Sequence, residues 1–419
     1  MNRRLLITIL IALLLITGTV VAIYFAKGYR VDLKKGKVTE NGLLVANSFP
    51  TGASVFLNNK LTTATNDTLQ LTPGDYEVKI VKDGYIAWQK FLKLKKELVT
   101  QTDARLFPAV PDLKSLTTSG ASNLTPSPDG EKIAFVVASA SATAKNGLWI
   151  LDLGNKSLTM SKDPKQITAN TVFFDLTKAL LIWSPDSKQI LAWNGKNSFV
   201  LETDKINNLN LQDDVSVRLS LILKEWEDEW ELKFGEKMKK LAPKMQEIMA
   251  NSSTNIYFSP DEEKMMYTAT ASATIPNELI PPLPASNTQS EIRMIEPGKI
   301  YVYDLKEDKN FILNEVQTLT EVKEKKTVLE QRLMALQKKY FSLLTQTVQW
   351  FPDSKHVVLV KENKIIIAEY DATNQATIYA GLFNDAFTYP WPDGSRLIIL
   401  TTLNPEPSLP SNLYAIELK

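Results

Sequence analysis

The sequence predicts an all-β chain behind an N-terminal apolar helix: first a small β-domain, then an array of about five small antiparallel sheets carrying helical insertions. Three observations carry this reading. Residues 5–25 contain no charge, residues 42–94 alternate apolar and polar side chains between turn residues, and beyond residue 112 a Pro-Asp turn recurs five times between apolar strands. A chain of 419 residues has room for two or three domains, and 44% apolar with 23% charged residues is the composition of a folded protein.

Composition removes whole classes of chemistry. With 48 basic and 47 acidic residues the net charge is +1, without the basic excess of a nucleic-acid binder, so no nucleic-acid partner is expected. The absence of cysteine excludes disulfides, thiolate zinc sites, iron–sulfur clusters and a cysteine nucleophile. A single histidine, His356, rules out a multi-His metal site. No Gly-x-Ser-x-Gly elbow exists for it to serve, so it reads as a strand-end residue. No phosphate-binding loop or dinucleotide fingerprint occurs. The sequence therefore predicts no catalytic, metal-binding or cofactor-binding residue, and no cofactor; binding or scaffolding is favoured over catalysis.

The uncharged run begins at Leu5 and ends at Phe25. At about 1.5 Å per helical residue it spans ~31 Å, the thickness of a bilayer core. Arg3 and Arg4 flank one end, and Tyr24 and Tyr29 stand at interfacial positions at the other. The run exceeds a signal-peptide core, and bulky residues fill its exit where a cleavage site needs small ones. Residues 1–30 are thus expected to form a transmembrane signal anchor, with the lipid bilayer as partner along Leu5 to Phe25. Lys27, Arg30, Lys34, Lys35 and Lys37 oppose Arg3 and Arg4 in the charge balance. Long domains translocate largely regardless of such charges, so the expected topology is N-terminus inside, C-terminal domains extracytoplasmic.

Residues 38–108 read as the β-domain. Asn58-Asn59-Lys60 supplies a tight hairpin, Thr72-Pro73-Gly74-Asp75 a second turn and Asp83-Gly84-Tyr85 a third. Ser48-Phe49-Pro50-Thr51-Gly52-Ala53, Val55-Phe56-Leu57-Asn58-Asn59, Leu71-Thr72-Pro73-Gly74-Asp75-Tyr76 and Asp83-Gly84-Tyr85 together resemble the PEGA family, with Thr51 standing where its name motif has Glu. The resemblance implies a small extracytoplasmic β-sandwich beside a membrane anchor, without catalytic residues.

Residues 112–419 are a repeat array. The turns are Ser127-Pro128-Asp129-Gly130, Ser184-Pro185-Asp186-Ser187, Ser259-Pro260-Asp261-Glu262, Phe351-Pro352-Asp353-Ser354 and Trp391-Pro392-Asp393-Gly394. Proline presets the first corner and aspartate bonds its own backbone, so these carboxylates read as turn makers. With Trp183 and Trp350 preceding two of the turns, the array resembles the TolB-type or WD-repeat-like β-propeller. Lys114-Ser115-Leu116-Thr117 recurs as Lys156-Ser157-Leu158-Thr159, at the outer-strand position of the first blade. The first copy is therefore expected to complete the last blade and close the ring, removing exposed edges. A sixth blade hidden in an insertion stays open.

Three excursions interrupt the repeats, at 207–251, 271–298 and 315–345. If every blade has four strands, parity places all three on one face, opposite the Pro-Asp turns. Apolar residues at helical spacing mark the first (Trp226, Trp230, Phe234, Met238, Leu241, Met245, Ile248) and the third (Leu329, Leu333, Leu336, Tyr340, Leu343). The middle one is Pro-rich, Ile280-Pro281-Pro282-Leu283-Pro284. These stripes can pack on each other and on the rim, or dock a partner; the candidate docking residues are Trp226, Trp230, Phe234, Leu333, Tyr340, Pro281 and Pro282. Deleting both helical excursions is expected to leave a soluble ring without its partner.

The expected function is a membrane-anchored extracytoplasmic binding or scaffold protein of the prokaryotic envelope, its propeller engaging an envelope protein or glycan. A propeller glycoside hydrolase or lyase is the alternative. It would need two carboxylates about 5–9 Å apart in the channel, where the inner strands offer only Asp175. A sensory ectodomain is the second alternative, with no output domain in the residues before the anchor.

Overall fold

The computed structural model describes residues 3–26, 29–32, 37–154, 163–283, 287–315, 329, 331–333, 335–336, 348–361, 363–385, 387–403 and 410–419. The chain separates into two compact units, Met1–Ala109 with Pro282–Ser290, and Val110–Pro281 with Glu291–Lys419.

In the first unit the uncharged run lies in helix α1 (Arg3–Ala26), where Thr17 and Thr19 return their hydroxyls to the carbonyls of Leu13 and Leu15. Side chains are described from Ile7 to Ile23. That stretch covers about 25 Å, against about 30 Å for a bilayer core. Among the described residues no helix is long and apolar enough to cross a membrane, so the expected span rests on the sequence.

The β-domain is built mainly of two sheets, with a short parallel pair, Ser48–Phe49 and Ala104–Arg105, beside them. One orders Val99–Gln101, Gly42–Ala46 and Asp67–Leu71; the other orders Lys60–Ala64, Ser54–Leu57, Gly74–Val81 and Trp88–Leu94. Trp88–Leu94 alternates strictly between buried and exposed positions. Its inward residues join Leu44, Val55, Val78 and Ile80 in a core between the sheets. Asn58 and Asn59 take the left-handed backbone that a two-residue hairpin demands, at φ 47° and 65°. Residues of Pro282–Ser290 complete this unit: Gln289 Nε2 donates to the Phe91 carbonyl at 2.7 Å.

The second unit is mostly strand. Blade one runs Ser122–Pro126, Lys132–Val137, Gly147–Asp152 and Lys165–Ala169; blade two Leu180–Trp183, Gln189–Trp193 and Ser198–Glu202. Blade three runs Ser253–Phe258, Lys264–Ala269, Lys299–Asp304 and Lys309–Glu315; blade four Val348–Trp350, His356–Lys361, Lys364–Glu369 and Ala376–Ala380. Blade five runs Thr388–Pro390, Arg396–Thr401 and Asn412–Glu417, and its outermost strand is Leu113–Ser115 from the start of the unit. Leu113 faces Ile416 and Ser115 faces Tyr414, the closure expected from the recurrence at Lys114. The matching copy, 156–159, lies outside the described residues, and Lys165–Ala169 is the outer strand of blade one.

Among the described residues no sheet closes on itself; successive blades are joined side by side. Trp183 Nε1 donates to the Thr125 carbonyl at 2.9 Å, tying blade two to blade one. Trp350 Nε1 donates to the Tyr257 carbonyl at 3.0 Å, tying blade four to blade three. Gln349 Nε2 reaches the Thr388 carbonyl of blade five at 2.7 Å, and the Tyr389 hydroxyl the Gly130 carbonyl of blade one at 3.1 Å. Between blades two and three the link runs through helices α2 (Leu219–Met238) and α3 (Pro243–Ser252). Leu219 and Leu223 of α2 enter the blade-two core beside Leu181, Trp183 and Phe199, while Met245, Ile248 and Met249 of α3 enter that of blade three. The helical excursion thus stands as a sector of the ring.

This placement corrects the parity count. Among the described residues blade two has three strands. Residues 203–215 run back along the third in irregular form, with Gln212 Nε2 donating to the Val200 carbonyl at 2.9 Å and the Val215 N–H to the Ser198 carbonyl at 2.9 Å. Helix α2 consequently starts at the face opposite the turns and ends on the turn face, where Lys233 Nζ donates to the Pro185 carbonyl at 3.0 Å. The stripe from Trp226 to Ile248 is two helices rather than one, broken at residues 239–242, with Pro243 opening α3. The middle excursion carries a two-stranded ribbon, Ala273–Thr274 with Met294–Ile295, whose Ile275 and Ile295 join the blade-three core.

Candidate functional site

Each Pro-Asp turn is a closed local network. In blade one the Ser127 hydroxyl bonds Asp129 Oδ1 at 2.5 Å, the same carboxylate oxygen accepts the Glu131 N–H at 3.0 Å, and Ser127 Oγ accepts the Lys132 N–H at 2.9 Å. Blades two and three repeat it at Ser184–Asp186 and Ser259–Asp261. In blade four Phe351 replaces serine, and Asp353 accepts the N–H of Lys355 and of His356 at 3.0 Å each. Buried His356 places Nδ1 at 2.9 Å from Asp353 Oδ2, so it serves the turn at its strand end. The residue after each aspartate has left-handed φ: Gly130, Ser187, Glu262, Ser354 and Gly394 lie between 58° and 74°.

Where these turns converge, a cavity of about 900 Å³ opens. The inner strands give it Tyr257, Phe258, Gln349, Trp350 and Tyr389, and α2 walls one side with Trp230, Lys233 and Phe234. Phe234 meets Phe258 edge-on at 6.5 Å, and Lys233 Nζ lies 5.8 Å from the Trp230 ring centre. Buried Gln349 donates Nε2 to Thr388, leaving its buried Oε1 without a hydrogen-bond partner among the described residues. Burial pushes the Tyr389 hydroxyl above the ordinary phenol range.

Of the acids lining the cavity, Glu262 and Asp186 are committed, while Glu236 lines it exposed. Lys240, then Lys237 at 3.0 Å, hold the Glu262 carboxyl below its ordinary range against the opposing effect of burial. For Asp186, burial works to raise the carboxyl, but Ser184, the Lys188 N–H and the Lys188 charge outweigh it and leave it low. Asp175, expected on an inner strand, lies instead in the loop before Leu180–Trp183, at the end away from the Ser184–Ser187 turn, where the Thr177 hydroxyl lowers its carboxyl. A general acid needs the reverse shift. Among the described residues no cluster of three His, Asp or Glu could hold a metal ion.

The predicted docking residues do not form one surface. Trp230 and Phe234 line the cavity. Trp226 packs, partly buried, on the blade-two core with Leu329 and Leu336, and Leu333 lies fully buried in that core. Arg332 holds Glu227 of α2 through Nε at 2.9 Å and Nη2 at 2.6 Å, joining the two helical excursions. Pro281 and Pro282 are exposed and divide between the two units, and Tyr340 lies outside the described residues. Sequence reasoning missed Gln349, Tyr389 and Lys233. A lone polar residue on an inner strand has no pattern, whereas Trp350 was visible as the aromatic before its turn.

Residues 41–109 match the PEGA domain. Nothing among curated proteins matches the chain. Among solved structures it is similar to TolB from Agrobacterium tumefaciens, at 12% identity over 69% of this chain and 76% of that one, with a TM-score of 0.21. TolB from Acinetobacter baumannii aligns at 12% identity, 82% and 60% coverage and a TM-score of 0.20. An acylaminoacyl peptidase from Pyrococcus horikoshii aligns at 12%, 73% and 39%, with a TM-score of 0.22; the chain spans less than half of that enzyme. The stretch that matches the PEGA domain is followed in the chain by the five propeller-like blades described above.

Proposed function

We propose that this protein is a membrane-anchored, non-enzymatic binding or scaffold protein of the prokaryotic cell envelope, with its PEGA domain and propeller extracytoplasmic and a protein or glycan partner held at the turn-face cavity. The observation that carries the reading is the cavity itself: about 900 Å³ walled by aromatic rings, with Asp186 tied into its turn and Glu262 tied to two lysines. Rigid scaffolds presenting such concave sites are where binding resides. The uncharged run 5–25 supports the anchor, and the PEGA match accords with an envelope setting.

Two measurements test it. A photo-crosslinking residue placed at Lys240, on the cavity mouth, should capture a defined set of partners in intact cells, and Trp230→Ala with Phe234→Ala should abolish the capture while the fold persists. Since the chain has no cysteine, Lys188→Cys provides a single topology probe. Labelling of intact spheroplasts by a membrane-impermeant maleimide is the expected result, and labelling only after lysis would overturn the extracytoplasmic placement.

A further inference from the structure

The wall of the turn-face cavity selects among ligands by what it leaves unmatched. Trp350 and Tyr389 are buried at its inner strands, whereas Trp230 and Phe234 of α2 and Tyr257 and Phe258 of blade three stay partly exposed. The inner donors are committed to the protein's own carbonyls. Trp350 Nε1 donates to Tyr257 at 3.0 Å, the Tyr389 hydroxyl to Gly130 at 3.1 Å, Gln349 Nε2 to Thr388 at 2.7 Å and Lys233 Nζ to Pro185 at 3.0 Å. The open groups are acceptors. Gln349 Oε1 is buried without a hydrogen-bond partner among the described residues, where an unmatched acceptor costs free energy. Glu236, exposed on α2, is in no ion pair among them.

The other charges of the wall cancel in place. Asp129 lies 3.9 Å from Lys132, Asp186 3.7 Å from Lys188 and Lys233 2.8 Å from Glu229, while Glu262 is held by Lys237 and Lys240. Each lysine that lines the cavity is therefore paired, and none awaits a phosphate or carboxylate. A fitting ligand brings hydrogen-bond donors, flat apolar faces and no charge.

We infer, resting on the reading that the partner sits in this cavity, that it binds a neutral saccharide chain. Pyranose faces stack on Trp230, Phe234 and Phe258, and sugar hydroxyls donate to the Glu236 carboxylate and to Gln349 Oε1. Aromatic faces are electron-rich and attract the C–H groups of a pyranose, and hydroxyls supply donors without charge. An extended peptide brings as many carbonyls as N–H groups, and the inner donors that could meet those carbonyls are taken. The volume of about 900 Å³ stands near the upper end of the roughly 300–1,000 Å³ of ligand pockets, room for a short oligosaccharide.

Saturation-transfer NMR on the full chain, in a detergent without a sugar headgroup, tests this. The probes are neutral tetrasaccharides of glucose and of N-acetylglucosamine, set against a neutral tetrapeptide and the polyanion tetragalacturonate. Transfer to a neutral tetrasaccharide, strongest at its ring C–H protons, with none to the peptide or the polyanion, is expected. Glu236→Ala, at an exposed helix position, should raise the Kd about tenfold, and Trp230→Ala should abolish transfer. Transfer to the peptide or the polyanion instead, or to no probe, overturns the inference. So does transfer to sugar that neither substitution changes, which would place the saccharide elsewhere. Such failures leave crosslinking from position 240 to a protein partner intact, whereas failure of the cavity reading itself would abolish the dependence of those crosslinks on Trp230 and Phe234.

Discussion

The Asp261 N–H donates to Ser354 Oγ at 3.0 Å, joining the turn of blade three to that of blade four; Asp129 and Ser187 repeat the bond at 3.1 Å between blades one and two. Both serines hold left-handed backbone, at φ 59° and 61°, where blades one and five use glycine. Serine is the strained choice at that corner, and the bond across the blades is what offsets it.

Ser354→Ala should therefore destabilise the protein by about 1 kcal/mol, since it removes a part-buried hydrogen bond and keeps the strained backbone. Ser354→Gly should cost less, because relaxing the left-handed residue returns up to about 1 kcal/mol. Urea midpoints at unchanged slope measure both. Equal stability of the two variants would show that the left-handed corner stores no strain, and a Ser354→Ala variant as stable as the parent would show that the cross-blade bond holds nothing.

At the same corner of blade three stands Glu262, clasped by Lys237 and Lys240 where α2 meets the ring. Its folded-state pKa lies below the unfolded value, so the clasp contributes fully above the ordinary carboxylate range and is lost as pH falls through the lowered value. Amide exchange along α2, corrected for intrinsic rates, should accelerate below about pH 4 in the native protein, given an ordinary Glu pKa of about 4.3. In Glu262→Gln it should be fast throughout and flat with pH.

Leu223 and Leu333 are fully buried in the blade-two core, one from each helical excursion. Leu223→Ala and Leu333→Ala should each cost roughly 2–5 kcal/mol, read from thermal or urea unfolding. Deleting 207–251 should give an opened, aggregating ring on size exclusion, contrary to the sequence-based expectation of a soluble one. The excursion fills a sector of the ring instead of decorating it.

How much was legible follows from what each signal encodes. Pro-Asp turns are chemically specific, so the five blades could be placed from their turns; Leu113–Ser115 does close the last blade, although the outer strand of blade one is Lys165–Ala169 and not the copy at 156–159. Trp183 and Trp350 stood out because an indole N–H must find a partner, and each finds the inner strand of the preceding blade. The position of α2 was hidden because parity presumes a fourth strand in blade two, and residues 203–215 follow that edge without strand alternation. The docking residues shared only helical periodicity, which marks an apolar face without saying what covers it; Leu333 is core and Trp230 lines a cavity for that reason.

The seam that closes the ring is held by a side chain as well as by strand pairing. Thr117 Oγ1 accepts the Leu413 N–H at 2.9 Å and donates to Asn412 Oδ1 at 3.0 Å, while the Gly120 N–H donates to that same oxygen at 2.9 Å. Thr117 is buried, so Thr117→Val keeps the volume but leaves the Leu413 N–H unpaired, at a cost of about 1–3 kcal/mol. Thr117→Ser keeps the hydroxyl and should cost well under half of that. Because the hydroxyl joins the segment beside Leu113–Ser115 to the third strand of blade five, the loss should appear as opening of that blade before the rest of the ring. Limited proteolysis between residues 402 and 411 should then accelerate in Thr117→Val and not in Thr117→Ser. Uniform cleavage across both variants would mean that backbone pairing alone holds the seam.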